Sequence, residues 1–302
     1  MKALLRSLTV AFVLVAGAAA RADLTVATSL EDLASVASIV GGSHVKAFSL
    51  CKGYQDPHFV PAKPSLMRLL RTADVFVSVG LELDGGWLPV VLPGSRNPKI
   101  QPGGPGFVDA SDGVDVLEKP SGTVNRAEGD IHPLGNPHYY MDPERLIPVA
   151  RHLAKVFGEL DPAHAEEYGK NAAAFADRMT AALTGWRAQL APFAGKGLVT
   201  FHTNFAYFLN RFDFKLFGTV EAKPGIPPTP RHLAELGAAM QAAGVRVVLY
   251  QPYQDAEASR ELARKAGARA LEIPTEVGGV PAARDVFTKF DFIVHALVEA
   301  LS

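Results

Sequence analysis

Apolar and polar positions alternate in two registers along this chain. Short β-branched and aromatic runs, Leu24 to Thr28, His44 to Leu50 and Val75 to Val79, read as strands. Amphipathic stretches separate them. One runs from a Ser29 cap to Val40, with Glu31 and Asp32 in its first turn and Gly41-Gly42 as its stop. Another starts at Pro64 or Ser65 and runs to Thr72. The second half repeats the rhythm. Strand patterns fall at Leu198 to Phe201, Lys215 to Val220, Val245 to Tyr250 and Ala268 to Ile273. Helix patterns fall at Asn204 to Phe212, Pro230 to Ala243, Ala256 to Ala266 and Ala283 to Leu301. Such alternation predicts an α/β fold with parallel sheets and right-handed crossovers.

The middle of the chain differs. Residues 93 to 137 are rich in Gly, Pro, Asp and Ser, with strand candidates only at Gly106 to Val108 and Val114 to Val116. The connection Glu118 to Gly135 is long enough to be functional or mobile. Pro143 to Glu159 reads as a helix. Asp161 then caps a second one, with Pro162 at its first position. Its apolar residues, Ala165, Tyr168, Ala172, Phe175, Met179, Leu183, Trp186 and Leu190, step by three or four. Unbroken to Ala191, it would span about 45 Å, with Gly185 as a soft point. About 280 residues after the leader described below exceed what one core organises. The expected plan is an N-terminal lobe (23–158), a stiff linking helix (159–193) and a C-terminal lobe (194–302).

Lys2 and Arg6, the apolar stretch Leu8 to Ala20 and Ala20-Arg21-Ala22 match a cleavable secretory signal, residues 1–22. No later stretch is long and apolar enough to predict an integral membrane segment. The only cysteine, Cys51, lies past the cleavage site, so it is not a lipid-bearing residue there. One cysteine closes no internal disulfide. Export without lipid or disulfide points to a bacterial periplasm. Thirty basic against thirty-one acidic side chains, without a basic stripe, argue against nucleic acid as a partner. No Walker or dinucleotide glycine fingerprint is present.

The chemistry is in the histidines. His58 closes Asp56-Pro57-His58, His138 closes Asn136-Pro137-His138, and His202 follows Leu198 to Phe201. Each is expected near the carboxyl end of a strand or on a proline-stiffened turn, where α/β crevices form. Three neutral imidazoles meeting there would make a zinc-type site. Cys51 reads as a small buried hydrophobe rather than a soft ligand. His44, His152, His164, His232 and His295 read as packing or surface residues.

Four stretches carry a family resemblance. They are Asp56 to His58 with Pro61 to Ser65; Ala73 to Leu83 with Trp87; Asn136 to Pro143; and Phe201 to Phe205 with Glu221 to Gly225. In that order and spacing the chain resembles the periplasmic zinc and manganese substrate-binding proteins of ABC importers, cluster A-I. The resemblance implies two doubly wound lobes joined by one long rigid helix, with a metal ion between them. It implies His58 and His138 as ligands from the first lobe and His202 from the second. Glu276, in Ile273 to Gly279, is its candidate fourth ligand, with water as the alternative if Thr275 takes that place. It implies Zn²⁺ as cargo, with Mn²⁺ as the other ion, an ABC permease as partner, a monomer, and no catalysis. Imidazole-rich donors favour zinc, whereas manganese prefers oxygen. Many zinc members carry a His-rich insert before the second ligand loop; here only Glu128, Asp130 and His132 stand there, and His132 reads as solvated more readily than as a capture ligand. The rival readings are a zinc hydrolase or lyase with a His₃ site and an open water position, and a metal chaperone or adhesin. No HExxH motif supports the enzyme.

Overall fold

The computed structural model describes residues 23–302, apart from 123–128 and 130. The expected leader lies outside the described residues, as do Glu128 and Asp130. Two four-stranded sheets form the frame. The first contains β1 (Leu24–Thr28), β2 (Val45–Ser49), β3 (Val75–Ser78) and β4 (Phe107–Asp109), in the order β2-β1-β3-β4. The second contains β5 (Gly197–Thr200), β6 (Lys215–Thr219), β7 (Val247–Tyr250) and β8 (Arg269–Glu272), in the order β6-β5-β7-β8. Every strand pair is parallel, as the alternating pattern predicts. In both sheets the strand order reverses between the first and third strands, and a crevice opens there at the carboxyl ends.

The helices are α1 (Glu31–Gly41), α2 (Pro64–Leu70), α3 (Leu88–Gly94), α4 (Leu146–Leu160), α5 (Ala165–Leu190), α6 (Ala206–Arg211), α7 (Pro230–Ala243), α8 (Ala256–Ala266) and α9 (Val286–Leu301). The bounds of α7 and α8 match the sequence pattern because Pro230 at the first position, Asp255 at a cap and Gly244 and Gly267 in left-handed C-caps mark them locally. Helix α3 escapes the pattern because Pro89 and Pro93 sit inside it. Val114 to Val116 forms no strand.

Two caps behave differently from expectation. Leu30, not Ser29, is the N-cap of α1, without a side-chain bond. Ser29 Oγ instead accepts the Val79 N–H at 2.8 Å, stitching the end of β1 to the end of β3. The Asp161 carboxylate takes the His164 ring at 2.6 Å and the Tyr168 hydroxyl at 2.8 Å, and the chain passes through a 3₁₀ turn before α5 begins. The 26 α-helical residues of α5 rise about 39 Å. Gly185 does not interrupt them.

The apolar stripe of α5 is buried from Tyr168 to Leu190. From its middle to its far end it meets α9: Phe175 lies edge-on to Phe287, and Trp186 Nε1 donates to Asp291 at 2.8 Å. One continuous core links α1, α4, α5 and α9 to both sheets, taking in Leu198, Val247 and Leu249 of the second. A smaller core of Val199, Val248, Leu236, Met240 and Leu262 lies under α7 and α8. The two halves are thus joined by shared apolar packing as well as by α5.

Candidate metal centre

Proline stiffens the turn that carries His58. Pro57 opens a 3₁₀ turn, and Asp56 Oδ1 accepts both the His58 N–H at 3.0 Å and its Nδ1 at 2.7 Å. Trp87 Nε1 donates to Pro57 O at 2.9 Å and holds the turn from behind. His138 sits at the cap of another 3₁₀ turn, with Asn136 Oδ1 accepting its N–H at 2.9 Å and the Tyr140 hydroxyl 3.0 Å from its Nδ1. His202 leaves β5 directly, and its Nδ1 lies 2.9 Å from Glu221 Oε2, which also accepts Gly225 N–H at 3.0 Å. Of the three, only His202 follows a strand at once; the other two reach the crevice on turns well past β2 and β4.

Each ring thus has an oxygen partner at Nδ1. With the proton there, the Nε2 lone pair is left for a ligand, the usual way a protein orients an imidazole toward a metal. The three ring centroids form a near-equilateral triangle of 5.3, 5.4 and 5.5 Å. Each residue offers a nitrogen, and these nitrogens lie within 4.8 Å of one another. A tetrahedral ion with bonds of about 2.1 Å holds its donors about 3.4 Å apart, inside that limit. Burial, reinforced by the neighbouring His58, His202 and His132, keeps His138 well below the ordinary imidazole range, so it stays neutral and able to donate its lone pair. Burial raises the Asp56 carboxyl, but its bonds to His58 outweigh that and hold it below its ordinary value.

Glu276 is not part of that three-residue cluster. It follows β8 on an irregular loop, fully buried, and neither carboxylate oxygen has a hydrogen-bond partner among the described residues. Burial and the nearby Asp32 push its carboxyl well up, against Lys289, which lowers it. A carboxylate in that setting persists as an anion only beside a cation. Three imidazole nitrogens within 4.8 Å of one another fit a borderline transition metal.

His132 departs from the solvated reading. Its ring lies 5.4 Å from His58 and 6.5 Å from His138, half-buried in the lining of a cleft of about 1160 Å³. A Cβ on Gly129 would fall 2.4 Å from Pro224 O, so Gly129 lies directly against the second half of the chain. Tyr140 was not evident from sequence, because its hydroxyl reaches His138 only through the intervening turn. Cys51 is fully buried, and burial pushes its thiol far up, as for an inert packing residue. His44 and His164 stack on each other at 3.7 Å, and His232 bonds Thr219 O at 2.8 Å. None of these three joins the cluster.

A second network ties the ligand loops together across the crevice. Asn136 Nδ2 donates to Thr203 O at 3.0 Å, and the Tyr207 hydroxyl donates to Asn136 O at 2.7 Å. Arg211 of α6 grips the buried Asp142 carboxylate through Nε and Nη2, each at 2.7 Å.

Two α/β halves with a converging histidine cluster between them define a two-lobed protein with a candidate metal cleft. The chain belongs to the family described as "Zinc-uptake complex component A periplasmic", which matches residues 26–300. It is 31% identical over 115 residues to the high-affinity zinc uptake system protein ZnuA of Brucella abortus (strain 2308), covering 38% of this chain. That alignment spans about a third of the relative, 34% of its length. It is 30% identical over 206 residues to the manganese-binding lipoprotein MntA of Bacillus subtilis (strain 168), covering 67% of this chain and 62% of that one. A solved structure described as "Crystal structure of ZnuA" superposes with a TM-score of 0.78 at 20% identity, over 93% of this chain and 100% of that one, a likeness of fold. The doubly wound fold expected from the sequence is thereby borne out. Among the described residues no helix is long and apolar enough to cross a membrane.

Proposed function

We propose that this protein binds one divalent transition-metal ion, zinc ahead of manganese, through His58, His138, His202 and Glu276. The ion is cargo. The chain captures it outside the cytoplasmic membrane, in the periplasm after loss of residues 1–22, and as a monomer presents it to an ABC permease. The carrying observation is the triangle of imidazoles whose nitrogens lie within 4.8 Å, each ring braced at Nδ1. The similarity to a zinc uptake protein and to a manganese-binding lipoprotein agrees with a choice between these two ions. Three nitrogen donors against one carboxylate favour zinc.

The site is read as a carrier and not as a catalyst. Asp56 and Glu221 are engaged in bracing histidines, which leaves neither as a general base for a bound water. Competitive titration of the metal-free protein with Zn²⁺ and Mn²⁺ tests the reading, repeated on His58→Ala and Glu276→Gln. One equivalent of zinc bound tightly, lost in His58→Ala, is the expected result. Turnover of an ester or of CO₂ by the zinc-loaded protein, or zinc binding indifferent to His58→Ala, would overturn it.

A further inference from the structure

Lys289 belongs to α9, yet it serves the opposite half of the molecule. Its ammonium is fully buried and pairs with the equally buried Asp32 of α1. The same ammonium donates to Thr275 O at 3.1 Å and to Tyr140 O at 3.3 Å. The other Asp32 oxygen accepts the Val277 N–H at 2.9 Å. The pair therefore holds the residue before Glu276, the residue after it, and the backbone two residues beyond His138.

A buried ion pair is a poor source of stability, since well-packed apolar residues usually do as well. Its geometry here suits a different task. The segment carrying Glu276 has neither helix nor strand to fix it. Gly53, in the first half, comes so near that a Cβ there would fall 2.0 Å from Val277 O. The first half of the chain thus grips this loop at two independent points.

We propose that Asp32 and Lys289 are positioning residues that fix the backbone on both sides of Glu276 and so set its carboxylate for the metal ion. Glu276, although it follows a strand of the second sheet, then moves as part of the first half. His202 is left as the ligand whose distance to the others changes when the halves move. This inference rests on the reading of Glu276 as a metal ligand.

The test is a cycle of three proteins: Glu276→Gln, the charge-free double variant Asp32→Asn/Lys289→Met, and their combination. Zinc affinity is measured by chelator competition, and coordination by the visible spectrum of the Co²⁺-loaded protein. The double variant is expected to lose about 10–100-fold in zinc affinity, the usual effect of removing a ligand's support. It should change the Co²⁺ spectrum as Glu276→Gln does, and adding Glu276→Gln to it should cost little more. Gly53→Ala keeps both charges and should produce the same spectral change by displacing the loop. A double variant with parental affinity and spectrum, a Gly53→Ala protein with a parental spectrum, or losses that simply multiply in the triple variant would each overturn the positioning role. If Glu276→Gln itself binds zinc as the parent does, the ligand reading falls and takes this role with it. If Glu276→Gln is impaired while the double variant is not, only the positioning role falls.

Discussion

Removing the Arg211 side chain tests whether the crevice is locked by charge. Arg211 makes two bonds of 2.7 Å to Asp142, whose side chain is 2% exposed against 17% for Arg211. It also pairs with Glu144. Hydrogen bonds to charged groups are each worth about 1.5–3 kcal/mol, so the two to Asp142 could cost about 3–6 kcal/mol if nothing replaced them. Part is replaced. Arg145 Nε remains 3.2 Å from Asp142, the Glu144 N–H still donates to it at 3.1 Å, and half-exposed Glu144 returns to water. A net loss of about 2–3 kcal/mol is expected for Arg211→Met, because a buried carboxylate that loses its best partner is costly. At about 2–4 °C per kcal/mol for chains of this general size, Tm should fall by about 5–10 °C. Thermal melts of the metal-free protein, followed by circular dichroism, measure it. Saturating zinc should raise Tm of both proteins by mass action. The companion variant Asp142→Asn/Arg211→Met leaves no orphaned carboxylate and should recover part of the loss. A metal-free Arg211→Met protein melting within about 1 °C of the parent would refute the argument that this pair is a buried interlobe lock, since it lies well below that range.

Trp87→Phe deletes the bond to Pro57 O and should cost about 1–2 kcal/mol in urea unfolding, with a severalfold weaker zinc affinity through a looser His58; an unchanged affinity would show that the indole does not steady that turn. Asp84 is buried, and desolvation raises its carboxyl from 3.8 to about 6, so its favourable, protonated contribution is present below about pH 3.8 and is lost as pH rises through about 6. At pH 7 the ionised form costs at most about 3 kcal/mol, so Asp84→Asn should flatten the fall in Tm between about pH 4 and 6, and parallel profiles for the two proteins would contradict it. Cys51 should resist thiol reagents in the native state with or without zinc and react only on unfolding; protection that disappears with a chelator would make it a metal ligand instead of a packing residue.

Much of the frame was legible because it depends on neighbours in the chain. Strand runs, the apolar stripe of α5 and the Pro, Asp and Gly marks of α7 and α8 act over one or two turns, and each element forms close to where its pattern lies. Helix α3 was hidden because its prolines speak against a helix, while the packing of Leu88, Val91 and Leu92 favours one. Ser29 and Asp161 carry the right chemistry for caps, but other partners claim them: the distant Val79 N–H for the first, and the nearby His164 ring and Tyr168 hydroxyl for the second.

The sequence alone determined two runs of alternating strands and helices and placed His58, His138 and His202 on their turns. Only the tertiary structure decided that three imidazoles from distant turns share one small triangle, that His132 leans on two of them, and that Glu276 is fully buried. It alone joined Asp32 to Lys289, 257 positions apart. The physical reason is range: helix and strand preferences are settled by contacts a few residues apart, whereas a buried charge or a shared ligand takes its energy from whatever chain closure brings beside it.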